Sequence, residues 1–242
     1  VNVSSNLTEK NKTNNTKYFA VEVLDQRKEI ALISAINHPD LGAIKRSIEA
    51  NQQRKVTILK PKEISDLTKY NTCIFYQPNN EFSTIISQAK KLGLNAFFIT
   101  GKSTDFNVMN QSQTDLTFKM NNQKENYVAS YNEQFNLFAQ DDINFEYFPP
   151  LENGFGSVKT NSSVSTLLGS KINRIEVEIP MLCFSENGQS RNAFLLGENI
   201  WKWRIERHVK TKEFTQFDTF MNKIVQFLTT NSAKKSLVVN HE

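Results

Sequence analysis

The stretch from Ile30 to Ile36 is apolar at every position except Ser34, and this constrains the fold more than any other feature of the chain. A run with no polar alternation suits a strand covered on both faces, as in a parallel sheet. It stops at Asn37-His38-Pro39-Asp40, where Pro39 and Asp40 can open a helix. Leu41, Ile44 and Ile48 follow at helical spacing, and Lys55 to Leu59 reads as a second strand, which completes a βαβ unit. The pattern then repeats. Thr72 to Tyr76 is a strand, Phe82, Ile85, Ile86 and Ala89 form a helical apolar face, Gly93 ends that helix, and Ala96 to Ile99 is the next strand. Strands alternating with helices predict a three-layer α/β fold with a doubly wound, mostly parallel sheet. Ligands of such sheets sit at the carboxyl ends of the strands, which here carry Asn37, His38, Asp40, Gln77 and the turn Gly101-Lys102-Ser103.

From about residue 115 to 160 the pattern changes to an accessory section with short strands: Leu116 to Met120, Tyr127 to Tyr131 and Phe145 to Phe148. Phe148 to Gly156 reads as a loop, because it holds two prolines and two glycines. Pro180 to Phe184 and Asn192 to Leu196 resemble a hairpin around Glu186-Asn187-Gly188-Gln189. A last helix is expected from about Glu213 to Thr229, with Phe214, Phe217, Phe220, Met221, Ile224 and Phe227 facing the sheet.

Composition narrows the function classes. The net charge of +4 is spread among acids over 242 residues, which argues against a nucleic-acid partner. No stretch approaches the roughly 20 apolar residues of a spanning helix, so any membrane attachment is expected through segments beyond this chain. Cys73 and Cys183 sit in apolar runs without metal-ligand spacing and read as buried thiols. Residues 1–17, rich in Asn, Ser, Thr and Lys, read as a polar linker, and residues 18–240 as one α/β domain. The start at Val1, without a signal peptide, suggests a piece of a longer chain, with its neighbouring domains as expected partners.

The order of elements, with Asn37-His38-Pro39-Asp40, the Phe148 to Thr160 loop and Leu195 to Arg204, resembles a domain of large bacterial membrane-anchored proteins. That domain is similar to class I glutamine amidotransferases, and is carried outside the cytoplasm beside von Willebrand factor A-like or immunoglobulin-like modules. The resemblance covers about residues 19 to 240. It implies a flavodoxin-like, class I amidotransferase-like fold and an envelope, extracytoplasmic location. It also marks what is missing. Class I amidotransferases place a cysteine nucleophile on a tight strand-to-helix turn; the corresponding turn here, Thr100 to Thr104, has none. Their late histidine would fall near Leu196-Gly197-Glu198-Asn199, which has no histidine either.

Three readings follow. The first is a non-catalytic binding or scaffolding domain without catalytic residues, metal or cofactor, taking a small-molecule or protein ligand through Asn37, His38, Asp40, Gln77, Lys102, Ser103, Glu198 and Trp201. The second is a hydrolase or amidotransferase with a rearranged site, in which Ser103 and His38 work with Asp40 or Glu198. The third is a carbohydrate-binding module that stacks sugar rings on Trp201 and Trp203, although that segment also reads as a helix start with one tryptophan buried. Gly154 to Thr160 contains two glycines and a Lys-Thr pair, but Val158 stands where a phosphate loop needs glycine, so it reads as a structural loop over the sheet edge. Asp141-Asp142 is an isolated loop pair, and Asp40 and Glu198 lie too far apart in sequence to assign to one metal site.

Overall fold

Burial on both faces makes strand β1 (Lys28–Ser34) central, and Ile30 to Ser34 are all buried. The computed structural model describes residues 27–187 and 190–230. The expected linker over 1–17, the Tyr18 to Val23 segment, the Gly188-Gln189 step and His241 lie outside the described residues. After β1 come α1 (Pro39–Glu49), β2 (Arg54–Leu59), β3 (Thr72–Tyr76), α2 (Ser83–Lys91), β4 (Asn95–Thr100) and α3 (Phe106–Ser112). Then come β5 (Leu116–Tyr131), β6 (Leu151–Thr160), β7 (Val164–Ile172), β8 (Ile175–Asn187), β9 (Ser190–Leu196), α4 (Trp201–Thr211) and α5 (Thr215–Thr229).

The described strands form one nine-stranded sheet in the order β2-β1-β3-β4-β9-β8-β7-β5-β6. The β1–β2, β1–β3, β3–β4 and β4–β9 pairs are parallel. The β8–β9, β7–β8, β5–β7 and β5–β6 pairs are antiparallel. The expectation of a mostly parallel, doubly wound sheet is therefore corrected to a mixed sheet, and the flavodoxin-like and amidotransferase-like descriptions fall with it. The physical reason lies in the connections. β7 turns into β8 through Asn173 and Arg174, at φ 49° and 69°, between the paired Ile172 and Ile175. Two left-handed residues in a two-residue link match the twist of an antiparallel hairpin. With no glycine in the pair, the sequence carries only a faint mark of it.

Three further expectations are corrected. β5 is one strand of 16 residues rather than two short ones. It carries a bulge in which Met120 pairs with Gly156 and Lys124 with Gly154, so that four residues advance opposite two. The predicted loop from Phe148 to Gly156 is largely strand β6, with only Phe148, Pro149 and Pro150 outside it, while Phe145–Tyr147 is a 3₁₀ turn rather than a strand. The glycines serve close approach: a Cβ on Gly156 would stand 2.2 Å from the Lys119 carbonyl oxygen, and one on Gly154 3.0 Å from that of Asn121. The antiparallel section thus extends well past residue 160.

One buried apolar cluster runs from Ile30 to Leu228 and joins both parts of the sheet. Across β3, β4 and β9 the rings of Phe75, Phe98 and Phe194 stack at 5.3 and 5.4 Å in register. Such pairs add about 0.5–1.5 kcal/mol each beyond area burial. Helices α1, α4 and α5 pack on one another, and α2 packs on α3. α4 and α5 are clipped by Arg204, whose Nε and Nη2 donate to Asp218 at 2.9 and 3.1 Å. Trp203 is fully buried, stacks on Phe148 at 5.0 Å and donates its indole N–H to the Pro149 carbonyl at 2.7 Å. Cys73 and Cys183 are free and buried, and burial pushes the Cys73 thiol up to about 12 and the Cys183 thiol up as well.

Candidate functional site

The carboxyl ends of β1, β3, β4 and β9 meet in a polar seam made of two joined networks. The first centres on Asp40, which is fully buried in the first turn of α1. Its carboxylate accepts the Tyr76 hydroxyl at 2.7 Å and the backbone N–H groups of Asn199 and Trp201 at 2.8 Å each. A buried carboxylate is tolerable only with such a set of donors. These bonds also fasten the start of α4 to α1.

His38, at the N-terminus of α1, has its Nδ1 2.7 Å from the Tyr76 hydroxyl, 3.2 Å from the Asp40 backbone N and 3.3 Å from Asp40 Oδ2. The tyrosine has one proton. When it goes to Asp40, a protonated Nδ1 can donate to the phenol oxygen, giving a chain from imidazole to phenol to carboxylate, while a bare Nδ1 accepts the Asp40 backbone N–H instead. Burial alone would lower the His38 pKa. The hydrogen bond and charge of Asp40 outweigh it, helped by the charges of Glu198 and Glu152, so the net shift is upward. Burial, then the charge of Asp40, pushes the Tyr76 hydroxyl far up, so it stays protonated.

The second network centres on Gln77, held at φ 50° by its N–H bond to the Ile99 carbonyl at 2.7 Å. Its amide donates to Glu198 Oε2 and accepts the Ser103 N–H at 2.7 Å, while the Lys102 N–H also reaches Glu198 Oε2 at 3.2 Å. Gly101 leaves room for this pair, because a Cβ would stand 2.6 Å from Gln77 Nε2 and 2.7 Å from Glu198 Oε2 and would push the two side-chain ends aside. Gly197, at φ 152°, lets the Leu151 Cβ approach to 2.6 Å of where its own Cβ would be. The backbones of Glu198 and Glu152 exchange two hydrogen bonds at 2.9 and 3.2 Å. Asn199 Nδ2 donates to Glu152 at 2.9 Å and thereby joins the two networks.

Of the residues predicted from sequence, His38, Asp40 and Trp201 meet in the first network and Gln77, Lys102, Ser103 and Glu198 in the second. Asn37 stands apart on the rim, where it accepts from Lys60 Nζ at 3.2 Å. Ser103 contributes its backbone N–H, and no hydrogen bond joins its side chain to His38 among the described residues. Trp203 is buried, so it cannot form a stacking surface with the half-buried Trp201. Tyr76, Asn199 and Glu152 went unmarked in the sequence. A tyrosine ending an apolar strand beside Gln77 was the one available signal, since Glu152 fell in the segment read as loop.

Beside the second network lies a cavity of about 270 Å³, between the turn after β4 and the bulged β5–β6 pair. Gly101, Lys102, Phe106, Lys124, Glu152 and Asn153 are among its walls. Lys102 and Lys124 form no ion pair among the described residues. Asn153 is 3% exposed, and its buried Oδ1 has no hydrogen-bond partner among the described residues. Among the described residues no three His, Cys, Asp or Glu side chains cluster as metal ligands, and no helix is long and apolar enough to cross a membrane.

No family model and no curated protein matches this chain. Among solved structures it is similar to an exo-β-1,4-mannosidase from Opitutaceae bacterium strain TAV5, with a TM-score of 0.44 and 8% identity over 80% of this chain and 35% of that one. The chain thus spans 35% of the length of the structure it matches. A likeness of that degree assigns neither a fold family nor an activity.

Proposed function

We propose that this chain is a non-catalytic binding domain that holds a small polar molecule in the cavity beside Gly101. One contrast carries the reading. At the strand ends the polar groups are occupied with one another: Gln77 bonds Ser103 and Glu198, and Asp40 takes three donors. Among the described residues, the adjoining cavity instead offers two lysines without ion pairs and a buried asparagine oxygen without a partner. Catalysis needs a nucleophile within hydrogen-bond reach of its base, and His38 Nδ1 is turned to Tyr76 and Asp40. Binding needs a concave site with a few polar groups not already satisfied.

The test has two arms. Ammonia release from glutamine and nitrophenolate release from p-nitrophenyl acetate are expected at background rates, equal in the wild type and in Ser103→Ala and His38→Ala. Turnover abolished by either substitution overturns the reading. In a thermal-shift screen of small polar metabolites, a ligand at a hundred times its Kd stabilises the fold by about 2.7 kcal/mol, and the shift is expected to vanish when the cavity residue Lys124 becomes Glu. An extracytoplasmic setting beside other modules of a longer chain is part of the same proposal. Recovery of the native protein in the cytosolic fraction of its cells would remove that part.

A further inference from the structure

We propose that the cavity takes a sugar-sized acid, a ring bearing hydroxyls and one carboxylate, of the uronic acid class. The inference rests on the binding-domain reading and narrows it by four observations.

The first is charge. Lys102 enters from the turn after β4 and Lys124 from the bulge of β5. Glu152, the acid in the wall, is held by Asn199 Nδ2 at 2.9 Å and lies 3.9 Å from Lys202 Nζ. Glu152 is thus set against Lys202, and among the described residues Lys102 and Lys124 remain as uncompensated cations, which suits an anionic ligand.

The second is the kind of anion. Phosphate loops are built from converging free backbone N–H groups. In the turn beside this cavity those groups are taken: Gly101 N–H by Thr104 Oγ1 at 2.9 Å, Lys102 N–H by Glu198 at 3.2 Å and Ser103 N–H by Gln77 at 2.7 Å. What remains is side-chain ammonium, which meets a carboxylate without a backbone cradle.

The third is Asn153, a wall residue 3% exposed whose buried Oδ1 has no hydrogen-bond partner among the described residues. Leaving such a group unmet costs about 1–3 kcal/mol. A ligand hydroxyl can donate to that oxygen.

The fourth is shape. The half-buried Phe106 ring gives an apolar wall for the C–H face of a sugar ring. A volume of about 270 Å³ lies at the small end of ligand sites, which suits one ring.

Isothermal titration of the whole chain with D-glucuronate, D-glucose, D-glucose 6-phosphate and acetate tests this. Glucuronate is expected to bind about tenfold or more tightly than each of the others, since it alone joins a carboxylate to ring hydroxyls. Lys102→Met and Lys124→Met, both at exposed positions, are each expected to weaken it several-fold, and raising the salt to weaken it in the wild type. Asn153→Ala is expected to do the same without a salt dependence of its own. Glucose binding as tightly as glucuronate, or the 6-phosphate binding more tightly, overturns the acid class. If none of the four binds while the metabolite screen still yields a ligand lost in Lys124→Glu, the ligand class falls and the binding-domain reading stands. If neither experiment yields a ligand, both fall.

Discussion

His38 and Asp40 flank Pro39 in sequence and read there as ligand-binding groups, yet in the fold they chiefly hold the protein together. Asp40 takes the N–H groups of Asn199 and Trp201, which lie 159 and 161 residues along the chain, and no local pattern announces such partners. The imidazole of His38 is then tied to the same carboxylate through Tyr76. Its folded pKa is raised above 6.5, so the protonated ring binds more favourably in the folded state. The stabilisation is fully present below 6.5 and is lost as pH rises through the higher folded value. A plot of Tm against pH should therefore fall above 6.5 in the wild type more steeply than in His38→Gln. Parallel curves for the two proteins would show that the imidazole carries no such linkage.

Among the elements, the bulged β5–β6 pair is the most exacting piece of backbone. Gly156 lies against the Lys119 carbonyl so closely that a methyl group would overlap backbone, which cannot rotate away as a side chain can. Gly156→Ala is expected to destabilise the fold by about 1–3 kcal/mol or more, read as a lower midpoint in urea unfolding. An unchanged midpoint would mean that the strand slides to make room. The same pair shows where sequence reading stopped. In β1, β3 and β4 the local signal and the fold agree, because burial on both faces demands apolar residues at every position, and these strands and the helices between them fall where the pattern put them. In β6 the signals conflict. Pro149, Pro150, Gly154 and Gly156 are all breakers by composition, but the prolines precede the strand and the glycines answer an approach by a partner about 35 residues away. A glycine needed for tertiary contact and one needed for a turn look alike in sequence. Misreading it hid Glu152 and Asn153, and with them one wall of the cavity.

For the whole molecule, the question is whether the parallel and antiparallel parts stand or fall together. Three connections bind them. β9 pairs with β4 on one side and β8 on the other, and the Phe75-Phe98-Phe194 stack crosses the same boundary. Trp203, on α4 after β9, packs on Phe148 and Phe145 and bonds Pro149, residues that lead into β6 at the far edge of the sheet. Loss of the antiparallel part would strip β9 of one neighbour and empty the seat of the largest buried side chain, a loss of about 3–5 kcal/mol by the measure of tryptophan truncations. Neither part can shed the other cheaply, so unfolding should be one cooperative transition even in a chain of 242 residues. Trp201→Phe gives up only a 3.3 Å bond to Asn199 and leaves Trp203 as the sole tryptophan. In that variant, Trp203 fluorescence and far-UV circular dichroism should change at one denaturant concentration with a shared slope. Two separated midpoints, with fluorescence moving first, would show that the antiparallel section undocks as a unit while β1 to β4 remain folded.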